Sequence, residues 1–422
     1  MTDATGKADT YAALRIPNFR RYIIALFTLT LGIQIQGTVV GWQIYDLTRD
    51  PLALGLIGLA EALPAISMSL FAGHVADSHD RRRIALCALA VLVACSVALW
   101  ALAHPAPLGD PLPMKARVSA IYGVIIVSGV ARAFLQPARQ ALSAELVPRA
   151  LFSNSVTWRS GSWQLAAVLG PAIGGVLYAI GGTTLGYAAD VLFMIVATAV
   201  LSSVRHRSPV RSIEGREPIG VSLTSGLRFV FGEPILLSAL VLDLFSVLFG
   251  GATALLPVFA AEILHTGPAG LGMLRAAPAL GAVLTSVALT RWPPFKHTGP
   301  VLLYAVAGFG ACMIGFGLSR HLVLSLVLLA ASGAFDMVSV VIRSLMLQMR
   351  TPETLLGRVS SVNQIFIGSS NEIGAFESGA MAKAFGAVPS VVFGGIATLG
   401  VVAVVAWRVP MLRKLRELRV ES

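Results

Sequence analysis

Charged residues are scarce in this sequence. Asp, Glu, Lys and Arg make up 13% of its 422 residues, whereas hydrophobic residues make up 56%. The core of a water-soluble protein of this length could not bury so much apolar surface, so part of the surroundings must be lipid. Because a spanning helix needs roughly 20 apolar residues, the chain has room for about twelve spans. A soluble globular protein is therefore excluded.

Cysteine is also rare. Cys87, Cys95 and Cys312 lie within apolar runs at spacings that match no metal-ligand pattern, which argues against a disulfide framework or a zinc site. No histidine lies deep within an apolar run, which disfavours metal transport. The HExxH and GxSxG patterns of hydrolases do not occur, and no Cys and His residues cluster. We therefore expect no catalytic residue, metal or cofactor, and an intramembrane enzyme is a remote alternative.

The apolar runs predict an all-α membrane protein with twelve transmembrane helices. The expected ranges are 21–46, 52–75, 83–103, 118–141, 156–180, 184–204, 234–261, 269–290, 299–319, 321–346, 358–383 and 387–409. The longest polar interruption, 205–221, divides the chain almost in half. We expect it to be a central cytoplasmic loop between two six-helix bundles, 1–204 and 222–422. The polar first 20 residues contain no cleavage pattern, so the first run is expected to be a true span.

Positive charge is unevenly distributed along the chain. The formal net charge is +11, yet 24 of the 32 Lys and Arg residues fall on the side of the termini in this topology. By the positive-inside rule, both termini are expected to be cytoplasmic. Charges scattered over short loops do not form the continuous basic surface that a nucleic acid needs. We therefore expect the lipid bilayer as a partner and no nucleic acid.

The two halves share an internal repeat. An ungapped offset of 204 residues aligns glycine with glycine, arginine with arginine and proline with proline. The aligned pairs include Gly129 and Gly333, Arg139 and Arg343, Pro148 and Pro352, Gly170 and Gly374, and Gly175 and Gly379. Such a register indicates duplication. Two pseudo-symmetric bundles are the architecture in which rocking of the halves exposes a midplane site alternately to each side.

A short pattern follows the second predicted helix. It consists of a glycine, an aspartate four residues later, and two arginines four and five residues after the aspartate. These residues are Gly73, Asp77, Arg81 and Arg82. This pattern resembles the cytoplasmic signature of the major facilitator superfamily, although Ser78 and Asp80 depart from it. The resemblance implies the major facilitator fold and a gate that latches the cytoplasmic side. An ordinary positively charged loop, anchored by its arginines at lipid headgroups, is the alternative.

The fifth predicted helix contains closely spaced small residues. Gly170, Pro171, Gly174 and Gly175 resemble the antiporter motif of the same superfamily, which implies proton-coupled export. Glycines four residues apart let two helix backbones approach, and the proline removes a helical hydrogen bond and favours a bend. Plain helix packing without a coupling role is the alternative.

Several charged residues lie within predicted spans. They are Glu61, Arg132, Asp243, Arg275, Asp336, Glu372 and Glu377, with Arg159 nearer the cytoplasmic end. Embedded charges are costly and usually mark a transport pathway or a structural pair. Burial favours protonation of a carboxylate, whereas a nearby arginine opposes it. We expect Glu61 and Asp243 to be the first candidates for proton coupling, and permanent ion pairs are the alternative.

Over nearly its whole length the chain resembles the branch of the superfamily that contains enterobactin exporters and macrolide-efflux proteins. The stretches that carry the resemblance are 134–142, 158–175, 226–229 and 351–358. The resemblance implies a monomeric, multi-pass exporter of the bacterial inner membrane that moves a siderophore or a lipophilic drug in exchange for protons. Uptake of a metabolite, flipping of a lysophospholipid and a non-transporting receptor are the alternatives.

Polar and aromatic side chains in the first and fifth spans offer contacts to such a substrate. They are Gln34, Gln36, Trp42, Gln43, Trp163 and Gln164. Amides supply hydrogen bonds, and indole rings supply the aromatic surface that a polyaromatic or cationic molecule needs.

Overall fold

A computed structural model of the chain describes residues 9–103, 113–206, 219–250, 252–292 and 297–415. Within these ranges the secondary structure is helical and contains no strand. The α-helices are α1 (Pro17–Thr48), α2 (Pro51–Ser78), α3 (Arg81–Ala103), α4 (Met114–Glu145), α5 (Phe152–Ser202), α6 (Ile219–Gly232), α7 (Pro234–Phe249), α8 (Leu256–Val258), α9 (Gly267–Arg291), α10 (Thr298–Leu318), α11 (Leu322–Arg350), α12 (Glu353–Phe385), α13 (Ala387–Arg408) and α14 (Pro410–Lys414).

These helices follow the predicted spans closely. The fifth and sixth spans are continuous in α5, which changes direction at Gly181 and Gly182. Gly182 has φ +61° and ψ −156°, a conformation open almost only to glycine. This break falls in the gap left between the predicted ranges 156–180 and 184–204. A 3-10 turn (Ala252–Leu255), α8 and a π-helix (Phe259–Ile263) complete the seventh span after α7.

Hydrophobicity supports a membrane location for these helices. Nine stretches of the described chain are long and apolar enough to cross a bilayer. One of them, 149–202, is 54 residues long and holds two spans. The first part of α2, 51–64, is also apolar, and α2 and α12 are the two further helices long enough to cross a bilayer. Together these helices form the twelve-helix architecture of a multi-pass membrane protein.

One helix was not expected. α6 begins at Ile219, inside the range 205–221 that was predicted as a loop. A Cβ at Gly226 would lie 3.0 Å from the carbonyl oxygen of Arg358, so α6 packs closely on α12. Arg358 Nη1 also donates a hydrogen bond to Ser225 Oγ at 3.0 Å. Tertiary packing therefore stabilises a helix where composition predicted a loop. Residues 207–218 of the predicted loop lie outside the described residues.

The chain forms two compact units. The first comprises residues 1–43 and 63–214, and the second comprises residues 44–62 and 215–422. The predicted boundaries at 204 and 222 stay a prediction. In the first unit α3 packs against α4 and α5, around a core that includes Phe19, Leu89 and Leu142.

The second unit is built around α7, α9, α10, α11 and α13. α9 packs on α11, α10 packs on α11 and α13, and α7 packs on α12 and α13. Small residues bring the backbones together: a Cβ at Gly333 would overlap the carbonyl oxygen of Pro278, and a Cβ at Gly281 would overlap that of Ala330. Close backbone approach through glycine is typical of membrane helices.

Candidate functional site

Four helices of the first unit meet at a buried polar cluster. α1, α3, α4 and α5 contribute one residue each, namely Gln36, Ser96, Arg132 and Asp190, and we call this set the Asp190 cluster. Gln36 Nε2 donates to Asp190 Oδ2 at 2.9 Å and lies 3.3 Å from Ser96 Oγ. Arg132 Nη2 donates to Gln36 Oε1 at 3.0 Å. The Gln36 amide therefore lies between the arginine and the carboxylate.

The glycines of the antiporter-like motif place α1 at this cluster. A Cβ at Gly170 would overlap Gln34 Cβ, and a Cβ at Gly174 would lie 3.1 Å from Ile35 Cα. The backbones of α1 and α5 are thus in direct contact immediately before Gln36. Pro171 and Gly175 are buried in the same helix. A larger residue at either close contact would push Gln36 away from its partners.

Asp190 was not among the residues singled out from the sequence. Its side chain is 0% exposed, and its Oδ1 atom has no hydrogen-bond partner among the described residues. Oδ1 faces α1 at Gly32, where a Cβ would lie 3.3 Å away. The signal that could have found it is an isolated aspartate between Leu185 and Leu201, in an otherwise apolar half of α5.

A second charged cluster lies in the second unit. Asp243 of α7 and Arg343 of α11 form an ion pair whose side chains are 6% and 5% exposed. Asp336 lies two turns before Arg343 on α11 and interacts electrostatically with both residues. We call these three residues the Asp243 cluster. It holds two carboxylates for one arginine.

The ion pair changes the interpretation of two residues. Arg343 was counted with the charges on the side of the termini, yet it is buried between helices. Asp243, a first candidate for proton coupling, has an arginine as its direct partner, and such a partner favours the ionised carboxylate.

Glu61 of α2 and Arg275 of α9 also come together in the second unit. The two side chains interact electrostatically, as their opposite charges would require for burial. Glu372 of α12 lies near them, with Oε2 3.1 Å from the position of a Cβ at Gly58, three residues before Glu61. Glu377 is partly buried on another face of α12. Which of these predicted residues carries a proton stays a prediction.

The start of α2 packs tightly against α12. A Cβ at Gly379 would lie 2.8 Å from Gly55 Cα. Lys383 Nζ donates to Asp50 Oδ2 at 2.7 Å beside this contact. Tyr45 donates its hydroxyl hydrogen to Glu262 of the π-helix. The segment 44–62 is therefore fixed within the second unit by backbone contact, an ion pair and a hydrogen bond.

The predicted gate is only partly described. The side chains of Gly73 and Asp77 lie outside the described residues. Arg81 forms an ion pair with Glu145 at the end of α4, and His206 Nε2 lies 3.1 Å from the same carboxylate. We call Arg81, Glu145 and His206 the Glu145 cluster. Arg82 Nη2 donates to the carbonyl oxygen of Ser202 at 2.6 Å, so both arginines tie α3 to neighbouring helix ends.

Several polar residues that we expected to face a substrate have partners within the first unit. Gln36 belongs to the Asp190 cluster, and Gln43 Oε1 accepts a hydrogen bond from the Tyr187 hydroxyl at 2.5 Å. The Trp42 ring contacts the Tyr178 ring edge-on at a centroid distance of 6.3 Å.

The other candidates for substrate contact differ in exposure. Trp163 is exposed, whereas Gln34 and Gln164 are partly buried. Arg159 Nη1 donates to Ser143 Oγ at 3.1 Å, which joins α5 to α4 near the Glu145 cluster. Within the described ranges, no three His, Cys, Asp or Glu side chains are grouped as a metal site would require.

The chain is similar to proteins of known class along nearly its whole length. The family model described as "Transmembrane secretion effector" matches residues 8–421. "Enterobactin exporter EntS" of Shigella boydii serotype 4 (strain Sb227) is 26% identical over 349 residues, which cover 82% of this chain and 80% of that protein. The EntS protein of Shigella flexneri is 27% identical over 350 residues, with the same shares covered.

Solved structures of transporters share the fold. A D-xylose-proton symporter superposes with a TM-score of 0.72 at 12% identity, covering 96% of this chain and 99% of that one. A bacterial homologue of the human lysosomal transporter Spinster, inward-facing and unoccupied, has a TM-score of 0.69 at 14% identity, covering 94% and 96%. The fold is thus the twelve-helix major facilitator fold predicted from the sequence.

Proposed function

Because the chain belongs to the transmembrane secretion effector family of the major facilitator superfamily, we propose that it exports small amphipathic molecules in exchange for protons by alternating access. A transporter of this superfamily needs no catalytic residue. Its work is done by a binding site that faces one side of the membrane and then the other. The proton gradient supplies the driving force when release of substrate and uptake of a proton are linked.

The observation that carries the proposal is the Asp190 cluster. A fully buried carboxylate connected to an arginine through a side-chain amide is costly within a membrane protein. Such a group is retained for structure or for function. Here it lies against α1 at the glycines of the antiporter-like motif. The Asp243 cluster, with two carboxylates for one arginine, is a second place where a proton can be exchanged.

The substrate proposed is a siderophore, with a lipophilic drug as the alternative. The relatives that cover four-fifths of the chain are enterobactin exporters, and a large aromatic substrate suits the exposed Trp163. We propose a monomer in the bacterial inner membrane with both termini in the cytoplasm, as the distribution of Lys and Arg predicts. Fusion of a reporter that is active only in the cytoplasm to the C-terminus tests this orientation.

Export is tested in cells that express the protein. Accumulation of labelled enterobactin and of the cationic dye ethidium is compared with that in cells carrying an empty vector, with and without an uncoupler. We expect lower accumulation of one probe, and we expect the uncoupler to abolish the difference. Asp77→Asn should weaken export by loosening the gate, whereas Asp46→Asn, which alters an exposed pair with Arg49, should not.

Each outcome has a separate meaning. Export of either probe that survives collapse of the proton gradient contradicts proton coupling. Higher accumulation in the expressing cells indicates uptake and contradicts export. If expressing cells and empty-vector cells accumulate each probe to the same level under every condition, both proposed substrates are rejected.

A further inference from the structure

We propose that Asp190 carries the coupled proton and that Gln36 relays its protonation state to Arg132, an inference that rests on the proposed function. Asp190 has no counterpart in the second half, where the 204-residue offset places Gly394. The proton site would thus lie in the half that also contains the antiporter-like motif.

The hydrogen bonds around Asp190 suit a carboxyl group that gains and loses a proton. An ionised carboxylate offers about four acceptor positions. In the structure Oδ2 accepts from Gln36 and the Ser96 hydroxyl also interacts with the carboxyl group, while Oδ1 has no partner within hydrogen-bond distance among the described residues. A permanently ionised group buried to this degree would be expected to have donors at both oxygens. A proton bound at Oδ1 removes that unmet requirement.

Space beside Oδ1 is kept by a glycine. A Cβ at Gly32 would lie 3.3 Å from Oδ1 and 3.3 Å from Phe193 Cβ, tighter than ordinary van der Waals contact. Any other residue at position 32 would crowd the oxygen that we propose to be protonated. The absence of a side chain therefore leaves room for a hydrogen on Oδ1.

The other titratable groups near Asp190 do not compete for this role. Arg132 of α4, Cys95 of α3 and Tyr187 of α5 each interact electrostatically with the carboxyl group. Arginine stays charged throughout the physiological range, and phenols and thiols are ordinarily neutral at neutral pH. The Tyr187 hydroxyl already donates to Gln43. Asp190 is therefore the member of this group suited to bind and release a proton.

Protonation of Asp190 affects α4 through Gln36, which contacts both Asp190 and Arg132. When Asp190 is ionised it only accepts hydrogen bonds, so the Gln36 amide turns its NH2 group to Asp190 and its oxygen to Arg132, as observed. A proton at Oδ1 removes the negative charge of the carboxylate, so the hydrogen bond that Oδ2 accepts from Gln36 is no longer charge-assisted and becomes weaker. Gln36 is then held less firmly between Asp190 and Arg132. Protonation therefore weakens the connection from α5 through α1 to α4.

The contrast with Asp243 favours Asp190 as the proton site. Asp243 is bound directly by Arg343, so a proton must displace an arginine there. At Asp190 the Gln36 amide lies between the carboxylate and Arg132, and an arginine held behind an amide opposes protonation less than one bound directly. A coupling site must release its proton as readily as it binds it.

The test uses the purified full chain in liposomes, with the siderophore or ethidium, whichever the wild type exports. Two assays are compared: transport driven by a pH gradient, and counterflow of the probe without any gradient, which needs only binding and alternating access. Asp190→Asn removes the titratable group with little change of shape. We expect it to lose gradient-driven transport and keep counterflow, while Asp46→Asn keeps both.

Gln36→Met is the second variant, because it retains the carboxyl group and removes the relay. We expect it to keep counterflow and to lose gradient-driven transport as well. If Asp190→Asn is not recovered as a monodisperse protein, Gln36→Met is the variant that tests the inference.

The results separate this inference from the proposed function. If the rate of transport by the wild type does not depend on the pH gradient, the proposed function itself is wrong. A gradient-dependent wild type together with gradient-driven transport by Asp190→Asn shows that another group carries the proton. Loss of counterflow in Asp190→Asn assigns the residue a structural role and overturns the inference. Gradient-driven transport in Gln36→Met overturns the relay.

Discussion

Replacement of Gly170 by alanine tests whether close contact between α5 and α1 holds the Asp190 cluster together. A Cβ at this position would overlap Gln34 Cβ and lie 3.2 Å from the carbonyl oxygen of Leu31. Since carbon atoms pack at about 3.5–4.0 Å, α1 must withdraw by about 1 Å to admit the methyl group. Gln36 would move with α1.

The expected effects follow from that displacement. The hydrogen bond from Gln36 to Asp190 is 2.9 Å long, and a further 1 Å, estimated as above, exceeds the usual limit of about 3.2 Å. Overpacking costs about 1–3 kcal/mol, whereas exchange of an interior helical glycine for alanine gains about 1 kcal/mol. We therefore expect a net loss of stability and weaker gradient-driven transport.

Gly161→Ala is the matched control on the same helix. Among the described residues no atom of a neighbouring element lies within 4 Å of a Cβ built there, so only the gain in helix propensity remains. Thermal unfolding of both purified variants, followed by tryptophan fluorescence, should place Gly170→Ala below the wild type and Gly161→Ala at or above it. Transport by the two variants is measured in the same liposome assay. Equal melting temperatures and equal transport would refute the role assigned to the contact.

Three further predictions concern the remaining clusters. Asp243→Asn should lower the free energy of unfolding by about 1–3 kcal/mol, because Arg343 loses its direct ion-pair partner and keeps only its electrostatic interaction with Asp336; an unchanged melting temperature would argue against the pair. Gly379→Leu should block the approach of α2 to α12 and abolish transport, whereas Gly400→Leu, whose Cβ would have no neighbour within 4 Å in the part of the chain that the structure describes, should transport normally; similar activities would contradict a role for that contact. Glu145→Gln removes the carboxylate shared by two basic side chains and should lower both melting temperature and transport, and a fully active variant would show that the Glu145 cluster is dispensable.

The positions of the membrane-spanning helices could be predicted well from the sequence, because the thickness of the bilayer sets the length of each apolar run. The break between the fifth and sixth spans was expected at 181–183, and Gly181 and Gly182 depart from helical geometry there. α6 was missed as a separate helix because its stability comes from packing on α12. Local composition contains no information about that contact.

The charged sites could be predicted less completely. Glu61 and Arg275 were both singled out as charges within predicted spans, and they interact. Arg343 was assigned to the side of the termini, because its position near the end of a span does not reveal that it faces Asp243. Asp190 was overlooked although it interrupts an apolar run. Its partners come from three other helices, and the sequence does not state which helix faces meet.

The central claim, proton-coupled export, is tested most directly by recording proton movement during substrate transport. Purified protein is placed in liposomes that contain a pH-sensitive dye, and an outward or inward gradient of the exported probe is imposed without a pH gradient. We expect protons to move opposite to the probe, and we expect no such movement in protein-free liposomes or with Asp190→Asn. Movement of the probe by the wild type without any accompanying proton movement would contradict the central claim.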